Sequence, residues 1–155
     1  MKQRIRKLAT TFRNAIEAAK VAGEFDSEFP FSQFPHSCCG DATDLLAQYL
    51  LEHNIKSTYV CGTRYDENQK DTQSHAWLLV DKLIVDITGD QFSNQSIYYN
   101  YNIPVYVGTS DSFHFLFKIE KRDVHKFDGL ENYGYMYQTR LFRLYDKIKK
   151  YCAMG

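Results

Sequence analysis

The chain carries no net charge, only 4 cysteines, 3 prolines and one tryptophan in 155 residues, and no long apolar run. Each shortage excludes something. A bilayer-crossing helix needs about 20 consecutive apolar residues, so no membrane segment is expected. Four cysteines do not make a disulfide-stapled scaffold, and they include no CxxC pair; HExxH is also missing. Neither a metal site nor a cofactor is therefore expected. The opening stretch MKQRIRKLATTFRNAIEAAK is basic but lacks the apolar block of a secretory signal. Free thiols in a reducing cytoplasm follow as the expectation. No repeat, low-complexity tract or linker interrupts the chain, so residues 1–155 are read as one domain.

The zero balance is uneven. Residues 1–20 hold six Lys/Arg against one Glu, and residues 140–150 hold five against one Asp, leaving the middle with 17 acidic and 8 basic residues. We read two basic terminal helices around an acidic body. Their charges are expected to be solvated helix faces, since no nucleic-acid-binding motif accompanies them.

Aromatic residues are abundant, at 15%, with 12 Tyr and 11 Phe. That favours a sheet-containing fold. Ile5, Leu8, Phe12, Ile16 and Ala19 recur at helical spacing over 3–22, with Gly23 as a stop. Residues 24–37 bring four phenylalanines and two prolines, an irregular segment expected to plug its rings into the core. A second helix is expected from Ser37, as N-cap, or Cys38 to His53–Asn54, with Asp41 in its first turn. STYVCGTRY, SHAWLLV and LIVDIT read as strands, the last two joined by a two-residue turn at Asp81–Lys82. FHFLFKIE reads as a further strand, and Leu141, Leu144, Tyr145 and Ile148 mark a C-terminal helix. The expected class is α+β, an antiparallel sheet packed against helices.

Cys38 and Cys39 stand where the second helix begins. A helix N-terminus favours a thiolate, so position alone raises the question of a nucleophile. Such a cysteine needs a base, and the base needs an orienter. If Val80 pairs with Leu83 across the turn, Trp77 falls opposite Asp86. His75, two residues from Trp77, then lies on the same face as Asp86, with backbones roughly 7–8 Å apart. An unpaired carboxylate in so apolar a strand would be costly, and His75 is the nearest partner. The Cys helix is expected to pack on that same face. Asp90 is the alternative orienter.

CGDATDLL, HAW and the Asp of VDIT, in this order, resemble the core of the transglutaminase-like superfamily of papain-related cysteine enzymes. The likeness spans roughly residues 36–92. It implies Cys39 rather than Cys38 as nucleophile, His75 as base and Asp86 as orienter, within a transglutaminase-like core. It also implies a peptide or protein substrate and a thioester intermediate. Hydrolysis of peptide or isopeptide bonds, glutamine deamidation, amide transfer and an inactive binding scaffold all remain open. The chain lacks the tryptophan that often follows the nucleophile in such enzymes, and it lacks calcium-site signatures. The Cys39 backbone N–H is the default oxyanion donor. Gln33, six residues upstream, matches the position of the papain-like oxyanion glutamine; His36 and Gln91 compete for that role.

Other residues are read structurally. Cys38, Cys61 and Cys152 pack or lie in the tail, and His114 and His125 have no evident partners. Tyr98, Tyr99, Tyr101 and Tyr106 are sheet-edge aromatics or the wall of a groove. The polar loop 64–74 is a surface connection or a cover for the site.

Overall fold

The computed structural model describes residues 1–65 and 72–152. Helix α1 runs Lys2–Val21, α2 Cys39–Glu52 and α3 Tyr135–Cys152. Strands β1 (Ser57–Tyr65), β2 (Thr72–Val80), β3 (Leu83–Asp86), β4 (Tyr106–Gly108) and β5 (Lys118–Phe127) form one antiparallel sheet in the order β4-β3-β2-β1-β5. The α+β class is as expected. No helix among the described residues is long and apolar enough to cross a membrane.

Alternation in β2 divides the molecule into two cores. Leu78 and Val80 face the three helices, joining Ile5, Phe12, Ile16, Leu45, Leu46, Leu50, Leu141 and Ile148. Trp77 faces the other way, into a layer with Val60, Ile84, Phe92, Tyr98, Phe113 and Phe117. No α-helix among the described residues covers this second face, only short 3-10 turns. Its roof is built from the aromatic connections on either side of β4, which accounts for much of the aromatic content. Burying each large side chain stabilises by roughly 1.5–3 kcal/mol, so the layer is a second core in its own right.

The hairpin forms in the expected register, Val80 opposite Leu83 and Leu78 opposite Val85, with Asp81 at φ 54° in the turn. β3 is shorter than LIVDIT. Asp86 turns back on itself: its Oδ1 accepts the Thr88 N–H at 2.9 Å, an Asx-turn that ends the strand.

Four other expectations need correction. Ser37 does not cap α2; Cys38 occupies the N-cap without a side-chain cap bond, and Ser37 lies one residue earlier at φ 64°. Phe25, Phe31 and Phe34 are buried, but Phe29 is 77% exposed. FHFLFKIE is not one strand: His114–Leu116 is a 3-10 turn, and β5 starts at Lys118. The Asp111 carboxylate accepts the His114 backbone N–H at 2.8 Å, a local cap that favours a turn over the alternating pattern.

The basic termini, finally, are tied down rather than simply solvated. Arg6 donates to the Val107 carbonyl, Lys20 to Phe34 and Lys147 to Glu24. Arg143 pairs with Glu28, Lys149 with Glu52 and Lys150 with Glu24. The uneven charge binds the terminal helices to the acidic body.

Candidate active site

Cys39 is the first residue of α2, His75 lies in β2 and Asp86 ends β3. All three meet. His75 Nε2 donates to Asp86 Oδ2 at 2.6 Å, with the side chains 0% and 1% exposed. The opposite ring nitrogen, Nδ1, is not engaged by Asp86, and the Cys39 thiol lies close enough to the ring for each to shift the other's proton affinity.

The helix reaches His75 by an unexpected route. The body of α2 packs on the Leu78 face, not on the His75 face. Pairing between β2 and β3 runs from Val80 only to Leu78, so the β3-side edge of β2 is open beyond that point. At this open edge Cys39 comes near the Ala76 backbone N–H, which helps lower its proton affinity. The thiol therefore meets His75 around the end of the short strand.

Charge follows from this geometry. Burial pushes the Cys39 thiol up, but the hydrogen bond and charge of His75, with the Ala76 N–H, hold it below its ordinary value. For His75, burial disfavours the cation, yet the Asp86 charge and hydrogen bond dominate and push it up to about 9. Burial acts against the Asp86 anion, and His75 and His114 together hold it well below the usual carboxylate range. A thiolate–imidazolium pair is the favoured form. Cys38, one residue earlier, is buried in the helical core and pushed far up by burial. All four cysteines are free.

The amide nearest the pair is Gln91. Its Nε2 lies 3.2 Å from His75 Nδ1 and 3.1 Å from the Thr88 carbonyl. Gln33 is exposed on the 3-10 turn Phe31–Gln33, with no side-chain hydrogen bond among the described residues. A cleft of about 260 Å³, lined by His36, Ser37, Gln73, Ser74, Gln91 and Gln95 with Phe92 as an apolar wall, lies beside the site; none of the three residues lines it, and Gln91 links it to His75. A larger hollow of about 550 Å³, beside Leu51, Lys56 and Phe127, contains none of the three residues. Asp90 does not face His75; it pairs with Arg13. Tyr98 is buried, Tyr99 exposed, and Tyr101 bonds Asp111. Most of the polar loop read as a surface connection or a cover for the site, residues 66–71, lies outside the described residues.

His114 is the residue that sequence reasoning missed. It is 3% exposed, and its Nε2 lies 2.6 Å from Asp86 Oδ2, the same oxygen that holds His75. Its Nδ1 lies 2.6 Å from Asp111 Oδ1. The one available signal was D-S-F-H, an Asp placed to cap the turn carrying the histidine.

His75, Asp86 and His114 also bring three donor atoms within 4.8 Å of one another, a set that no spacing motif announces. Ligands around a tetrahedral zinc at 2.0–2.1 Å would stand about 3.3 Å apart. Here both imidazoles approach one carboxylate oxygen at 2.6 Å, the separation of charge-assisted hydrogen bonds.

Compared with protein-family models, curated proteins and solved structures, the chain matches none.

Proposed function

We propose that the chain is a cysteine enzyme acting on amide bonds, with Cys39 as nucleophile, His75 as base and acid, and Asp86 as orienter, on a transglutaminase-like core. The observation that carries this reading is the coincidence of an activated thiol at a helix start with a buried imidazole whose far nitrogen is fixed by a carboxylate.

The steps follow from the atoms. The Cys39 sulfur, its proton held on His75 Nδ1, attacks the amide carbonyl carbon. The oxyanion that forms is met by the Cys39 backbone N–H, which lies in the first turn of α2 and has no intrahelical acceptor. Gln91 Nε2 is the side-chain donor within reach. The C–N bond breaks, the amine leaves with the proton from His75, and a thioester remains. His75 then takes a proton from water as its oxygen attacks the thioester, and the thiol departs with that proton. Water is favoured over an amine as acceptor because the cleft that reaches His75 through Gln91, about 260 Å³, suits one acyl group. Its lining of amides, hydroxyls and one imidazole suits a neutral polar peptide segment.

The test is labelling of native protein with iodoacetamide, followed by peptide mapping, and turnover of p-nitrophenyl acetate as a minimal acyl donor. Selective labelling of Cys39, with acyl transfer lost in a folded Cys39→Ala variant, is the expected result. Undiminished turnover in that variant overturns the assignment.

A further inference from the structure

We propose that His114 is a positioning residue of this site: aimed by Asp111, its Nε2–H holds the same Asp86 oxygen that orients His75. The inference rests on the reading of Cys39 and His75 given above.

The contacts form a chain through the aromatic core. Tyr101 donates its hydroxyl to Asp111 Oδ2 at 2.9 Å, Asp111 Oδ1 meets His114 Nδ1 at 2.6 Å, and His114 Nε2 meets Asp86 Oδ2 at 2.6 Å. His75 Nε2 meets that oxygen at 2.6 Å, and the Thr88 N–H takes Asp86 Oδ1 at 2.9 Å. The titratable groups facing His114 among the described residues come from several elements. Asp86 comes from β3, Asp111 and Tyr101 from the connections around β4, Tyr106 from β4 and His75 from β2. The Tyr106 ring centroid is 5.3 Å away, and those of His75 and Tyr101 6.1 Å. Trp77 and Phe113 pack at 4.9 Å, and a hollow of about 340 Å³ lined by Ile84, Ser110 and Phe117 opens beside the ring.

Two donors on one oxygen each receive less of its charge than a single donor would. His114 therefore does two things. It locks the carboxylate against rotation, and it weakens the pull of Asp86 on the His75 proton. A His75 held more tightly protonated would leave less neutral imidazole to take the proton of water near neutral pH, so turnover of the thioester depends on this sharing.

The experiment compares wild type, His114→Phe, His114→Gln and Asp111→Asn. The His75 ring is titrated by NMR, and thioester breakdown is followed after the acyl burst with p-nitrophenyl acetate. In His114→Phe the His75 midpoint is expected to rise by about half a unit. The neutral imidazole then falls about threefold at neutral pH, and deacylation slows by the same factor. His114→Gln, which can still donate to Asp86, restores both toward wild type. Asp111→Asn gives a smaller upward shift, and it carries the test if His114→Phe does not fold. An unmoved or lowered His75 midpoint in folded variants, or a Gln variant that behaves like Phe, overturns the proposal. Failure of the underlying reading looks different: Cys39 would then alkylate no faster than an ordinary thiol in wild type, whatever the His75 titration shows.

Discussion

Arg13 grips Asp90 with both arms of its guanidinium, Nη1 to Oδ1 at 2.8 Å and Nη2 to Oδ2 at 2.7 Å, across 77 residues of chain. The same Nη1 donates to the Ile87 carbonyl at 2.7 Å. Helix α1 thus holds the turn that follows Asp86 and carries Gln91, so a residue far from the chemistry sets the platform for two site residues. Arg13 is 4% exposed and also pairs with Glu17, so removing it would leave the half-buried Asp90 carboxylate without its main partner.

Arg13→Met is accordingly expected to cost about 3–5 kcal/mol, read as a fall in thermal midpoint and in denaturant midpoint. Arg13→Met with Asp90→Leu should recover part of that loss, because only the half-exposed Glu17 then loses its partner. A double variant no more stable than the single one would show that the guanidinium acts through its carbonyl contacts instead.

Gly62 lies where the pairing of β1 with β5 slips, between Val60 and Gly62. A Cβ there would stand 2.6 Å from the Phe117 Cβ and 3.2 Å from the Trp77 ring. Phe117 belongs to the layer around His75, with ring centroids 5.6 Å apart. Gly62→Ala is expected to cost about 1–3 kcal/mol by overpacking. It should also broaden the His75 ring signals, and a variant with wild-type stability would mean that the aromatic layer yields freely.

The hairpin and its two site residues were legible in the sequence, for a physical reason. A two-residue turn fixes register, and register fixes which side chains share a face. His75 and Asp86 needed no more than that. The meeting of Cys39 with His75 was legible only as a resemblance, because the route depends on how soon β3 ends. That end is set by the Asx-turn at Asp86, a local event that hydrophobic alternation hides. His114 was not legible because F-H-F-L-F matches a strand's period of two. The Asp111 cap overrides that period, and the histidine's partner lies 28 residues away. Asp90 was open to misreading for the converse reason: its true partner, Arg13, lies in another helix altogether.

Gln91 and Gln33 are separable by experiment. Removing an oxyanion donor costs about 10²–10³ in the chemical step. Gln91→Ala should show this loss in acylation by p-nitrophenyl acetate while leaving iodoacetamide labelling of Cys39 within a few-fold, since alkylation forms no oxyanion. Gln33→Ala should leave both rates unchanged. The reverse pattern would move the role to Gln33.

The pH behaviour of the pair has a definite sign. Cys39 is held below its ordinary value of 9.0, and His75 is pushed up from 6.5 to about 9. Labelling of Cys39 should therefore persist well below the pH at which a free thiol stops reacting, whereas Cys38, pushed up by burial, stays unlabelled until the chain unfolds. For stability, a raised folded value means that the His75 contribution is complete below its unfolded 6.5 and lost as pH rises through about 9. The depressed Asp86 works oppositely: its contribution is present above its unfolded 3.8 and lost as pH falls through its lower folded value. The His75 contribution to the thermal midpoint should thus fall between about pH 6.5 and 9 in wild type, opposed by the lowered Cys39, whose contribution grows as pH rises toward 9.0. In Asp86→Asn, which removes the charge that raises His75, the alkaline decline should flatten and Cys39 labelling near pH 6 should fall at least tenfold, about one unit of thiol pKa. A steep alkaline decline surviving in Asp86→Asn would assign it to some group other than His75.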